Sequence, residues 1–140
     1  MKQKVSDYIA EYIAQWGIRD VFTVTGGGAM HMNDAFGHHP KLHCTYQHHE
    51  QACAMAAEAY ARMDNRMAAV CVTTGPGATN AITGVLGGWM DSIPMLVFSG
   101  QARYATTVPA SGLPLRSMGV QECNIVPVVS SITTVSYTHL

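Results

Sequence analysis

From Tyr46 the chain reads Tyr-Gln-His-His-Glu50-Gln-Ala-Cys-Ala-Met-Ala-Ala-Glu-Ala-Tyr-Ala-Arg62, and after a short polar break it runs Ala68-Ala-Val-Cys-Val-Thr-Thr-Gly75-Pro-Gly-Ala-Thr-Asn80. The second stretch decides the fold. Residues 68–73 form an uninterrupted run of small, apolar and β-branched side chains, the pattern of a strand covered on both faces. Gly75-Pro76-Gly77 then breaks the run and opens a helix from Ala78 to about Met90. Upstream, Glu50 falls where a short strand, Leu42 to Tyr46, gives way to a helix from Glu50 to Met63. In a parallel sheet such junctions lie side by side at the carboxyl edge, where ligands bind. The carboxylate and the glycine turn are therefore expected in one place.

The same rhythm extends outward. Val5, Tyr8, Ile9, Tyr12, Ile13 and Trp16 recur at helical spacing, with Gly17 as the stop. Val21 to Thr25 is β-rich and ends in Gly26-Gly27-Gly28, after which a helix is predicted from about Ala29 to Gly37. Met95 to Phe98 is a further buried strand, reached through Asp91-Ser92-Ile93-Pro94. Strand and helix alternate four times, which predicts an α/β domain of three layers, α/β/α, with a mainly parallel sheet. In the helix after Glu50, residues Ala52, Met55, Ala56, Ala59, Tyr60 and Met63 are assigned to one stripe, with Ala54, Ala57 and Ala61 outside it. Gly100 to Gly119 reads as a long surface loop, Glu122 to Ser131 as a short helix weakened by Pro127, and Ile132 to Val135 as a last strand.

Composition narrows the function. The 140 residues suit one domain, charged residues are only 12 % against 48 % apolar, and the net charge is −1. No basic run offers a footprint for nucleic acid, and neither a signal peptide nor a bilayer-spanning stretch is legible. Neither nucleic acid nor membrane is expected as a partner, and a cytoplasmic setting is predicted. Cys44, Cys53, Cys71 and Cys123 are widely spaced and read as buried thiols rather than as disulfides or zinc ligands.

Several motifs invite chemistry and fail. A dinucleotide fingerprint starting at Gly26 needs glycine where His31 stands, and the turn at Gly75 lacks the lysine and hydroxyl of a phosphate loop. His38, His39, His43, His48 and His49 crowd one region without the paired spacing of a zinc helix, so no metal ligand is assigned. Taken singly, Glu50 is an acid interacting favourably with a helix dipole, and each glycine cluster is a tight turn.

Together these blocks resemble the N-terminal, pyrimidine-binding domain of thiamine-diphosphate-dependent enzymes, the acetolactate synthase group most of all. The carrying residues are Gly27-Gly28-Ala29, His49-Glu50-Gln51 with Ala56 to Arg62, Thr74 to Asn80, Met90 to Pro94, Ser99-Gly100-Gln101, and Gln121-Glu122 with Ile125-Val126. The resemblance implies that Glu50 is catalytic, contacting N1′ of the cofactor's aminopyrimidine ring and favouring the imino tautomer that deprotonates the thiazolium. A carboxyl in a dry pocket is suited to sharing that proton. It also implies that Thr74, Gly75, Pro76, Gly77, Asn80 and Gly27 line the cofactor, with Gly28 and Gln121 on the substrate side. Mg²⁺ and the diphosphate would be held by a separate domain, contributed by a second subunit of a homodimer or homotetramer.

The implied reaction decarboxylates a 2-oxo acid, pyruvate in the first instance, and joins the two-carbon unit to a second carbonyl. Val120 stands where the family has phenylalanine and Gly26 where it has proline, which leaves open a decarboxylase or a sugar-modifying carboligase. A non-catalytic assembly module that kept the fold is the alternative from another class. Residues 1–135 are assigned to the domain. Residues 136–140 follow no family pattern and read as a tail or fragment boundary, so that this chain alone is expected to be inactive.

Overall fold

The computed structural model describes residues 2–134. Its centre is β3, Ala68–Val72, in which all five residues are buried. The other strands are β1, Asp20–Thr23, β2, His43–Tyr46, and β4, Met95–Ser99. Their order is β2-β1-β3-β4, and every pairing is parallel. The three-layer α/β/α class expected from the alternation is what forms.

Alternation along β3 divides the core in two. Ala69 and Cys71 join Val21 of β1 beneath α1, Val5–Gln15, and α2, Met30–His38, where Ala10, Ile13 and the fully buried Phe36 pack. Ala68, Val70 and Val72 face the opposite layer, made of α3, Glu50–Asp64, α4, Pro76–Asn80, and α5, Ile82–Met90. Because a strand sends successive side chains to opposite faces, one apolar run supplies both cores.

The stripe assigned to α3 is corrected. The buried face consists of Cys53, Ala54, Ala57 and Ala61, whereas Met55 is 44 % and Met63 is 89 % exposed, and Ala52 and Ala59 also face outward. Of the expected stripe, Ala56 and Tyr60 are half-buried, Tyr60 against Phe22 with ring centroids 6.2 Å apart. The reason is space. At Gly84 of α5 a Cβ would stand 2.6 Å from the Ala54 Cβ and 2.8 Å from the Met55 nitrogen, so the helices approach almost backbone to backbone. Only side chains of one carbon fit such a contact.

Other boundaries shift as well. The helix expected from Ala78 begins at Pro76, a favoured first position, and is divided at Ala81 into α4 and α5. Within the expected loop Gly100 to Gly119 lie a turn of 3₁₀ helix, Tyr104–Thr106, and the one-turn α6, Val108–Ser111. The helix expected over Glu122 to Ser131 shortens to α7, Ile125–Val129, because Glu122 is engaged elsewhere, as set out below. Residues 132–134 of the expected last strand are not in a strand, with the Ile132 amide turned back on the Val129 carbonyl at 3.0 Å. Val135 and the tail 136–140 lie outside the described residues.

Candidate active site at the glycine edge

β1 and β3 are neighbours, yet the chain leaves β1 toward β2 and leaves β3 toward β4. The carboxyl ends of these two strands therefore form the switch point at which α/β sheets bind ligands. Three glycine turns meet there: residues 26–28 after β1, 75–77 after β3, and Gly100 after β4. A Cβ on Gly28 would stand 2.6 Å from Thr74 Cγ2, and one on Gly100 would stand 2.5 Å from the Gly28 carbonyl oxygen. Thr73 interlocks the set, accepting the Gly28 N–H at 3.1 Å through Oγ1. Gly75 has φ 55° and ψ −113°, a conformation outside the left-handed helical basin that only glycine occupies readily.

Glu50 enters this edge from the start of α3. His49 caps the helix, its Nδ1 accepting the Gln51 N–H at 3.2 Å, and Glu50 occupies the first helical position. Asn80 Nδ2 donates to Glu50 Oε2 at 2.7 Å. The other oxygen, Oε1, has no hydrogen-bond partner among the described residues and lies 3.3 Å from where a Gly77 Cβ would be. One carboxylate oxygen is thus held and the other lies beside Gly77, against which the Thr73 methyl also packs. Glu50 is half-buried while Pro76 and Asn80 are exposed, so the dry pocket expected around the carboxylate is not closed by the described residues of this chain.

The structure gathers the sequence-assigned residues unequally. Glu50, Gly77 and Asn80 make the contacts just described, with Gly75 and Pro76 opening the same turn. Thr74 is buried, and its hydroxyl donates to the Gln121 carbonyl at 3.0 Å. Gln121 thereby comes to the edge by its backbone, in a left-handed conformation with φ 55°. Gly28 packs on Thr73 and Thr74, whereas Gly27 opens to empty space, with nothing within 4 Å of an added Cβ. Sequence reasoning did not single out Thr73 or the capping role of His49, and it quoted Glu122 within a family block without its hold on three amides; of these, only a cap before the α3 run was detectable in one dimension.

Neighbouring ionisable groups have separate duties. Arg62 binds Glu58 through Nε at 3.0 Å and Nη2 at 2.6 Å, and also pairs with Asp91, locking α3 to the end of α5. His38, His39 and His43 pair with Asp34, Glu11 and Asp20 respectively, away from the edge. Burial pushes the Cys53 thiol up to about 11 and the Cys71 thiol to about 12, so both remain protonated at neutral pH. A concavity of about 430 Å³ lined by Trp16, Arg19, Arg66 and Met67 lies at the amino ends of the strands and contains none of these groups.

Comparison with known proteins identifies the family. The family model described as "Thiamine pyrophosphate enzyme, N-terminal TPP binding domain" matches residues 3–128. Acetolactate synthase 2, chloroplastic, of Zea mays is 36 % identical over 138 residues, which cover 96 % of this chain and 20 % of that protein. The acetolactate synthase large subunits of Lactococcus lactis and Buchnera aphidicola are 31 % and 35 % identical, each over 94 % of this chain and 22 % of theirs. The chain spans about a fifth of the length of these relatives. With residues 3–128 matched and the sheet wholly parallel between helical layers, the chain belongs to the thiamine pyrophosphate enzymes, as their N-terminal TPP-binding domain.

Proposed function

We propose that this chain is the pyrimidine-binding part of an enzyme that decarboxylates a 2-oxo acid, pyruvate first among them, and ligates the two-carbon unit to a second carbonyl. The observation that carries the reading is Glu50: Oε2 is fixed by Asn80, and Oε1 is left without a hydrogen-bond partner among the described residues. That arrangement fits the aminopyrimidine of thiamine diphosphate. A ring nitrogen can share a proton with Oε1 while Asn80 keeps the carboxylate from rotating away. Gly75 makes room for the Gln121 carbonyl and Gly77 for the Thr73 methyl, and Pro76 and Thr74 set the turn beside Glu50. When bound, the cofactor supplies the electron sink for decarboxylation and carbon transfer.

Glu50's part is to hold and exchange a proton at Oε1. A glutamine there keeps the shape and loses the exchange. Gly27 opens toward the same edge, while Gly28 and Gln121 form its substrate side. Mg²⁺, the diphosphate and the missing wall over Glu50 are supplied by a further domain, contributed by a second copy in a homodimer or homotetramer. The exposed apolar side chains Met55 and Met63 of α3 and Leu86, Trp89 and Met90 of α5 support such association. Among the described residues no helix is long and apolar enough to cross a membrane, and the setting we infer is the cytoplasm. The Zea mays relative is named chloroplastic. Residues 1–135 form the domain on this reading, and without the diphosphate-binding partner the chain does not turn over substrate.

The test uses a polypeptide joining this domain to a diphosphate-binding domain. Pyruvate consumption should require both thiamine diphosphate and Mg²⁺ and fall about 100-fold or more in Glu50→Gln. Product identification then separates carboligation from simple decarboxylation or a sugar acceptor. Activity that survives Glu50→Gln removes Glu50 from this role, and absence of cofactor binding favours the assembly-module alternative.

A further inference from the structure

The excursion between Gln101 and Cys123 contains no strand, and most of its side chains are exposed. Its order comes from polar contacts that converge on one residue. Glu122 Oε1 accepts the Val108 N–H at 2.8 Å, and Oε2 accepts the N–H groups of Met118 and Gly119, both at 3.0 Å. Val108 opens α6, so donors from both sides of the excursion's tip meet on a single carboxylate. Gly119 lets the two arms of the loop close, since a Cβ there would stand 2.6 Å from the Ala102 Cβ and 3.0 Å from the Thr106 carbonyl. Gln101 Nε2 donates to the Cys123 carbonyl at 2.8 Å and pins the far flank.

Gln121, directly before this anchor, has a conformation that a non-glycine residue seldom adopts unless its surroundings impose it. Its carbonyl accepts the Thr74 hydroxyl, and the same oxygen occupies the space that a side chain on Gly75 would need. We propose that Glu122 is a positioning residue: by gathering the amides of Val108, Met118 and Gly119 it holds Gln121 left-handed with its carbonyl on Thr74, making residues 102–121 a fixed wall of the Gly75 turn. Charge-assisted bonds to three N–H groups are strong enough to order a segment that buries little apolar surface. Glu122 touches neither the turn nor Glu50 directly and acts through Gln121. Only the naming of this wall as the substrate side rests on the proposed function; the coupling between loop and turn does not.

Amide and side-chain resonances of the 140-residue chain decide the matter. In Glu122→Ala, exchange at Val108, Met118 and Gly119 should quicken about ten-fold or more, and the Thr74, Gly75 and Gln121 resonances should move with them. Glu122→Gln, which keeps length and one acceptor, should give intermediate shifts, while Val70 in β3 stays in place as the fold control. Coupling is reciprocal, so Thr74→Val must disturb the Met118 and Gly119 amides from the opposite side, which serves as the test if the Glu122 variants unfold. Loop amides that move while Thr74 and Gly75 stand still would overturn the proposal. In the polypeptide with the diphosphate-binding domain, Glu122→Gln should raise the KM for the 2-oxo acid about ten-fold and, through Thr74 and Gly75, weaken thiamine diphosphate saturation with it. A wild-type polypeptide without 2-oxo acid activity would defeat the proposed function and leave the resonance result standing.

Discussion

The frame from Glu50 to Asn80 and the excursion from Gln101 to Cys123 reach the same glycine edge by different physics. In the frame, β3 is buried along its whole length, and α3 presses Cys53, Ala54, Ala57 and Ala61 into the layer it shares with α5. Its geometry follows from close packing, which resists displacement in every direction. The excursion has Thr107 and Gly119 as its buried residues and is held by hydrogen bonds focused on Glu122 and Gln101. Such a segment can be released by removing one charge. The site thus joins a rigid floor carrying Glu50 to a wall whose position depends on few groups.

Three perturbations probe that contrast. The largest effect is expected where the two regions touch. Gly75→Ala places a methyl group on the Gln121 carbonyl and forces alanine to φ 55°, ψ −113°, at a cost of about 3 kcal/mol or more in urea unfolding. A variant as stable as the parent would show that the wall yields freely and that the contact is incidental. Next, Ala54→Leu overpacks the α3 to α5 contact at Gly84 and should destabilise by about 2 kcal/mol, whereas Met63→Ser on the exposed face should stay within about 0.5 kcal/mol. Equal effects would return the burial of α3 to its larger side chains.

The smallest effects come from pH, which addresses the regions from opposite ends. Burial raises the Cys53 and Cys71 thiols from 9.0 to about 11 and about 12, so the folded state binds their protons more tightly than the unfolded chain. Their contribution is complete below pH 9.0 and is lost as pH rises through the folded values, so the frame should weaken first in alkali. Backbone N–H groups of Gly119, Met118 and Val108 hold the Glu122 carboxyl below its ordinary 4.5. Its contribution is present above 4.5 and disappears as pH falls through the lower folded value, loosening the excursion while β3 remains protected. Glu11 is also lowered, by hydrogen bonds to His39 and Gln15, so residue-resolved hydrogen exchange is required in place of a global melt. Loop and sheet amides that lose protection together in acid would remove the distinction between the regions.

Much of this molecule was legible in one dimension because its signals are local. An unbroken apolar run such as residues 68–72 calls for cover on both faces, and glycine after each run calls for a turn. Parallel order then brings the ends of β1, β3 and β4 to one edge, so the meeting of Glu50 with Gly77 and Asn80 could be expected from motifs 27 and 30 positions apart. The inner face of α3 could not be read in the same way. Where alanine occupies every side of a helix, periodicity has no contrast, and the face that packs is chosen by the space beside Gly84. The wall was equally hidden, since the contact of the Gln121 carbonyl with Thr74 spans 47 residues and rests on three amides collected by Glu122. Local preference dictates strands, turns and their order; which small faces meet, and which carbonyl closes on a glycine, depends on distant segments competing for the same volume.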